Sequence, residues 1–419
     1  MSQNPNLQKT TKRRLLPTLA VLLLLSGPIE AQDFDKGVEA FDRGDYATAL
    51  EVFRPLAEQS DADAQLYLGI MYAQGRGVVQ DHAEAEKSFR KAAELGVANA
   101  QFNLGLMYAY GDGVVQDHVE ALKWYRKAAE QGHADAQLGL GLIYAQGRGV
   151  MQDDGEAVKW YRKAAEQGVV DAQVFLGNRY VRGQGIVQDG AQAAKWYRKA
   201  AEQGDTQAQF NIGRMYSDGW GVVQDHAEAA KWLRKAAKQS HAQAQNSLGL
   251  AYAQGQGVVQ DHAEAAKWLR KAAEQGDTQA QFNLGLMYAQ GWGVVPDHAE
   301  AAKWYRRVAE QGVAEAQTNL GILYEDGRGV VQDHAEAAKW YRRAAEQGLV
   351  EAQSNLATLY GKGQGLPQDY VQAHKWLNLA AAQGDHGAAR TREQLANRMT
   401  REQIAEAQKL AREWAPKQE

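Results

Sequence analysis

Ser88-Phe89-Arg90-Lys91 spells Ser-x-x-Lys, the nucleophile motif of acyl-serine enzymes that react with penicillins. Such a serine attacks a carbonyl only when a base and further polar partners surround it. Here no Ser-Asp-Asn or Lys-Thr-Gly partner follows, and the only Lys-Thr, Lys9-Thr10, lies at the extreme N-terminus. His82, His118, His226, His262, His298 and His334 each sit in Asp-His-Ala-Glu or Asp-His-Val-Glu. His-x-Glu suggests a zinc-dependent deaminase, but the Cys pair of that site is missing from a chain without any Cys. Each His also stands alone on its own segment, whereas a closed metal site needs about four ligands. Solvated positions in the first turn of a helix are the plainer expectation for them. The Gly-x-Gly pairs follow helices, not strands, and read as turns, not as phosphate cradles. Neither a catalytic residue, a metal nor a cofactor is expected on these grounds.

What organises these residues is a repeat. Trp124, Trp160, Trp196, Trp232, Trp268, Trp304, Trp340 and Trp376 fall 36 residues apart without a slip, and Ser88 occupies the same column one period earlier. A fixed period of this length marks a solenoid whose units pack on their neighbours, so the core grows by stacking. In the unit 98–133, Ala100, Leu104, Gly105 and Tyr108 recur at helical spacing and define a first helix, A. Gly105 lies inside that helix, where Gly costs about 0.5–1 kcal/mol, so its recurrence implies close approach by a neighbouring helix. Gly111 ends helix A as a left-handed cap, and Gly113-Val114 turn the chain back. Asp117 opens helix B, and Glu120 three residues on predicts a capping box. Ala121, Trp124, Tyr125, Ala128 and Ala129 form its buried stripe, and Gly132 closes it. Asp205 and Asp277 are placed to cap the next helix A.

Nine such units occupy residues 62–385. Ahead of them, 32–61 reads as a capping hairpin turned at Gly44-Asp45-Tyr46. Behind them, 386–419 reads as two capping helices, with Thr400 and Gln403 as a second capping box. Residues 1–31 carry a basic head (Lys9, Lys12, Arg13, Arg14), an apolar run from Leu15 to Ser26, and Ala31 before a polar start. This predicts a cleavable secretory signal peptide, with no membrane span in the processed chain. The net charge of −4 gives no field for nucleic acid.

The pattern Ala-x-Ala-Gln-x-x-Leu-Gly-x-x-Tyr-x-x-Gly-x-Gly-Val, then Asp, then Glu-Ala-x-Lys-Trp-Tyr-x-Lys-Ala-Ala-x-x-Gly resembles the Sel1-like repeat, a longer-looped relative of the tetratricopeptide repeat. The 32–61 hairpin is closer to the tetratricopeptide form. The resemblance implies an all-α, right-handed α-solenoid of antiparallel helix pairs whose A helices line the concave face. It also implies an adaptor or scaffold, often periplasmic or secreted in bacteria. One secreted branch has a disulfide in each repeat and a reported penicillin-binding activity; the absence of Cys separates this chain from it.

Blocks 222–237 and 258–273 are identical, so recurrence here is partly recent copying, and positions that differ between copies are the better clue to function. Mapped onto the concave positions that the resemblance implies, Asn103, Asn211, Asn283, Asn319 and Asn355 form one column, expected to face solvent and free to pair with a peptide backbone. Gly139, Phe175 and Ser247 interrupt it. Beside it stand Phe102, Phe282 and Leu286 among other apolar residues, either as anchors for partner side chains or as packing between A helices. Asn178, Arg179, Arg182 and Arg214 break that apolar column with a basic cluster suited to a carboxylate or phosphate, or to pairing with Asp171 or Asp218. Trp220 and Trp292 stand between the paired glycines of their loops, as interface residues or folded over the loop. The expectation is a non-catalytic scaffold for protein or peptide partners in the bacterial cell envelope. A periplasmic regulator of signalling or envelope assembly is the narrower version, and a penicillin-binding or cell-wall hydrolase the rival.

Overall fold

A computed structural model describes residues 30–416. Residues 1–29, and with them most of the expected signal peptide, lie outside the described residues, as do 417–419. The described chain holds 22 helices and no strand, an all-α solenoid of antiparallel pairs. None of these helices is long and apolar enough to cross a membrane. It divides into two compact units, one up to Ala164 and one from Ala165, the cut falling inside helix Asp154–Glu166.

In the first unit, the hairpin of Glu30–Asp42 and Tyr46–Glu58 covers the first repeat through Phe41, Phe53 and Ala57 against Leu68 and Met71. Repeat 1 (Ala62–Gln74, His82–Glu94), repeat 2 (Ala98–Tyr110, His118–Glu130) and Ala134–Gln146 follow. In the second unit, six further A–B pairs run from Val170–Arg182 to Tyr370–Ala382. Helices His386–Ala396 and Arg401–Arg412 close it, with Trp414 edge-on to Trp376 at 6.0 Å.

The helix ends follow the expected chemistry, with one correction. Asp117 accepts from the amides of Val119 and Glu120, and Gly111 takes the left-handed conformation at φ 75°. Asp205 and Asp277 cap their A helices. The Glu of Asp-x-x-Glu, however, does not complete a capping box. Glu120 instead binds Lys123 one turn on, at 3.1 Å, because an exposed lysine competes for its carboxylate. Among the described residues, Thr400 and Gln403 alone form the reciprocal box.

Gly105 has its expected neighbour, and it is the B helix of the same repeat. A Cβ there would lie 2.9 Å from the Tyr125 ring, and one on Gly285 2.7 Å from Tyr305. Within each unit the Trp column is mostly buried and joins successive repeats. Trp268 of repeat 6 packs on Leu233, Ala236 and Ala237 of repeat 5, with Lys271 Nζ 4.4 Å over its ring.

A buried glutamine column completes the frame. Gln245 donates to Ala237 O at 3.0 Å, the last turn of the preceding B helix, and accepts from Gln275 at 2.7 Å, the end of its own. The same pair of bonds joins Gln101 to Ala93 O and Gln131. Each such side chain ties three helices, and burial is tolerated because donor and acceptor are both used. Repeat 1 is the exception. Gln65 donates to Ala57 O at 3.1 Å, but Leu95 stands where the other repeats carry the donor, and Gln65 Oε1 is buried without a partner.

Candidate binding face

The A helices display the columns singled out above, each side chain placed by the turn-by-turn geometry that also buries the Gln and Leu positions next to it. Asn103, Asn211, Asn283, Asn319 and Asn355 are half-buried, not solvent-facing as expected. The neighbouring repeat shades them, since helices stacked at solenoid spacing leave little room between A helices. Asn211 accepts from Gln207 at 3.0 Å and Asn283 from Gln279 at 3.3 Å. Asn283 Nδ2 is buried with no hydrogen-bond partner, a donor left unspent.

The apolar candidates are engaged in packing. Phe102 stacks on His133 at 4.6 Å and tilts against Tyr125 at 5.8 Å. Phe282 meets Tyr305 at 5.9 Å, and with Leu286 it lies against the cluster around Tyr305 and Leu320. His133 caps the following helix by accepting from Ala136 N, and burial lowers its pKa.

Of the basic residues of repeats 4 and 5, Arg182 acts on a tyrosine that sequence reasoning passed over, Tyr197. The Tyr197 hydroxyl donates to Asn178 Oδ1 at 2.6 Å. Burial pushes its pKa up to about 12, while Arg182 and a hydrogen bond with Asn211 pull the other way. Arg182 is exposed. Arg214 lies 5.9 Å over Phe210 and 3.9 Å from Asp218, both charges largely in water. Beside Arg214 a cavity of about 220 Å³ opens between the A and B helices of repeat 5 and the A helix of repeat 6. Its walls include Leu233, Leu250, Ala251, Ser217 and Ser247. Ser247 registered in the sequence only as a gap in the Asn column. The small residue was the signal, because a missing side chain leaves space.

The loops are seated on the repeat before them. A Cβ on Gly113 would meet the His82 carbonyl oxygen at 2.7 Å, so only glycine allows the loop this close to the start of the preceding B helix. The His column therefore departs from the expectation of solvated residues. His82 is exposed, but His262, His298 and His334 are half-buried beneath the next loop, each with a buried Nδ1 lacking a partner. Trp292 stacks on His262 at 6.4 Å yet remains 52% exposed. Trp220 covers Gly190, which replaces His in that column. Where a loop carries a second valine it is displayed outward, Val79, Val223, Val259 and Val331 each being 88% exposed. No group of three potential metal ligands occurs among the described residues. Ser88 is half-buried, and no hydrogen bond joins it to Lys91 there.

The Sel1 repeat model matches nine consecutive segments, 62–97, 98–133, 134–169, 170–205, 206–241, 242–277, 278–313, 314–349 and 350–385. The chain belongs to the Sel1 repeat family. Among solved Sel1 repeat structures, it resembles a protective antigen present in uropathogenic Escherichia coli strains and displaying an SLR fold. That likeness has 34% identity over 98% of this chain and 94% of that one, with a TM-score of 0.69. It also resembles a Sel1 repeat protein from Oxalobacter formigenes, at 35% identity over 79% and 94% of the two chains, with a TM-score of 0.56. The comparison with curated proteins gave no match. A Sel1 repeat scaffold of this kind suggests protein partners.

Proposed function

We propose that this Sel1 repeat chain is an exported, non-catalytic scaffold that holds segments of other proteins against its A-helix face. One contrast carries the reading. The residues that stack the repeats recur almost unchanged, while the A-helix columns vary and hold a buried donor, Asn283 Nδ2, with nothing to bind. Export is supported by the basic head and apolar run of residues 1–31 and by the relative being a protective antigen. A role in regulating signalling or envelope assembly is the narrower form of the same proposal.

The test places a photo-crosslinking amino acid at position 283, or at position 303 on the exposed side of a B helix, in cells expressing the full chain. Discrete adducts from 283 and none from 303 are expected. Equal labelling from both would refute an A-helix binding face. Intact mass of the exported protein should correspond to a start at Gln32; a chain retaining Met1 in the membrane fraction would refute processing.

A further inference from the structure

The groove spanning the A helices of repeats 4 to 6 differs from the rest of the array in a direction that specifies a ligand. Along one A-helix column, Ile70, Leu106, Leu142, Leu250, Leu286 and Ile322 are aliphatic and Thr358 is uncharged, but repeats 4 and 5 carry Asn178 and Arg214 there. Asn178 is committed to the Tyr197 hydroxyl, which lies within the field of Arg182. The two guanidinium groups are available. Arg182 is exposed with no ion pair among the described residues, and Arg214 is 62% exposed beside Asp218 at a loose 3.9 Å. An exposed pair of that length contributes little and yields readily to a better-placed carboxylate. Immediately next to Arg214 is the cavity of about 220 Å³, whose apolar wall of Leu233, Leu250 and Ala251 is bordered by Ser217, Asp218 and Ser247.

We infer that this groove recognises an acidic peptide segment in which a carboxylate side chain is followed closely by a small aliphatic residue. The carboxylate pairs with Arg214 and Arg182, and the aliphatic side chain fills the cavity between repeats 5 and 6. Guanidinium groups bind planar carboxylates through paired N–H donors, which sets this ligand apart from neutral peptides.

This inference rests on the A-helix face being the binding face, and the experiment separates the two. The full chain is incubated with an array of dodecapeptides in which Glu or Asp, Gln, or phosphoserine alternates with Val, Ala or Phe. Wild type is compared with Arg182→Gln/Arg214→Gln and with Ser247→Phe. Retention of Glu- or Asp-containing peptides bearing Val or Ala is expected. The double variant should weaken it about 10- to 100-fold, the loss typical of charge-assisted hydrogen bonds. Ser247→Phe should lower retention of the Val peptides while leaving the helix-content melt unchanged. Undiminished retention by the double variant, or a preference for phosphoserine or Gln peptides, would overturn the acidic-ligand inference while leaving the face intact. If both the array and crosslinking at position 283 give nothing, the face itself is overturned.

Discussion

Introducing the missing donor at Leu95 tests whether the buried glutamine column holds the repeats in register. Leu95 ends its B helix at φ −78° and ψ 0°, close to the −80° and 1° of Gln131, so Leu95→Gln needs no change of backbone. Its side chain is 58% exposed, so little apolar burial is lost. The new amide would reach Gln65 Oε1, now buried and unpaired. Satisfying a buried acceptor recovers about 1–3 kcal/mol, and ordering a glutamine side chain costs up to about 1.5–2 kcal/mol. The expected net gain is about 0.5–1.5 kcal/mol, confined to repeat 1 and the hairpin before it. Hydrogen exchange followed by mass spectrometry should show roughly 2- to 12-fold slower exchange of amides in helices Ala62–Gln74 and His82–Glu94, with no change beyond repeat 3. Leu95→Glu, which cannot donate, is the control. The reasoning fails if Leu95→Gln leaves exchange unchanged, or if it has the same effect when Gln65 is already Leu.

Gly285→Ala should destabilise by about 1–3 kcal/mol in denaturant, since its Cβ would sit 2.7 Å from the Tyr305 ring. In a Tyr305→Ala background Gly285→Ala should cost much less, because the ring it would meet is gone; an undiminished loss there would exclude this contact as the cause. Trp268→Ala should cost about 3–5 kcal/mol and broaden or split unfolding, because the lost packing lies between repeats 5 and 6. A melt superimposable on wild type would refute that. Burial lowers the pKa of His133 and His241, so the folded protein binds fewer protons than the unfolded chain. Stability should be full above about pH 6.5 and fall as pH drops below it. His133→Asn/His241→Asn, with caps that do not titrate, should flatten unfolding midpoints measured between pH 7 and 5; an unaltered slope would assign the loss to other groups.

Much of the fold was legible because the sequence repeats its structural residues at fixed offsets. The Gly105–Tyr125 approach and the Asp117 cap depend on local spacing, and spacing is visible in one chain. The glutamine column was visible as Ala-x-Ala-Gln but not interpreted, since a polar residue on a helix reads as surface until its two partners, 8 residues back and 30 ahead, are known. The Asn column was placed correctly along the helix and wrongly with respect to solvent. Shading by a neighbouring repeat is tertiary, and hydropathy does not encode it. For the same reason the Trp220 and Trp292 rings were located in their loops, while the surfaces beneath them, Gly190 and His262, emerged only from the stacking.

The glutamine ties have a further consequence for how such a chain grows. Each bond in them spans at most 35 residues, less than one period. No tie depends on how many copies precede it, so recombination that adds or deletes a whole period meets compatible partners at both junctions. The identical stretches 222–237 and 258–273 are what such an event leaves behind. Copy number is thereby free to drift as a measure of reach, lengthening or shortening the surface offered to a partner, while a gain or loss of anything other than a full period would strand buried amides.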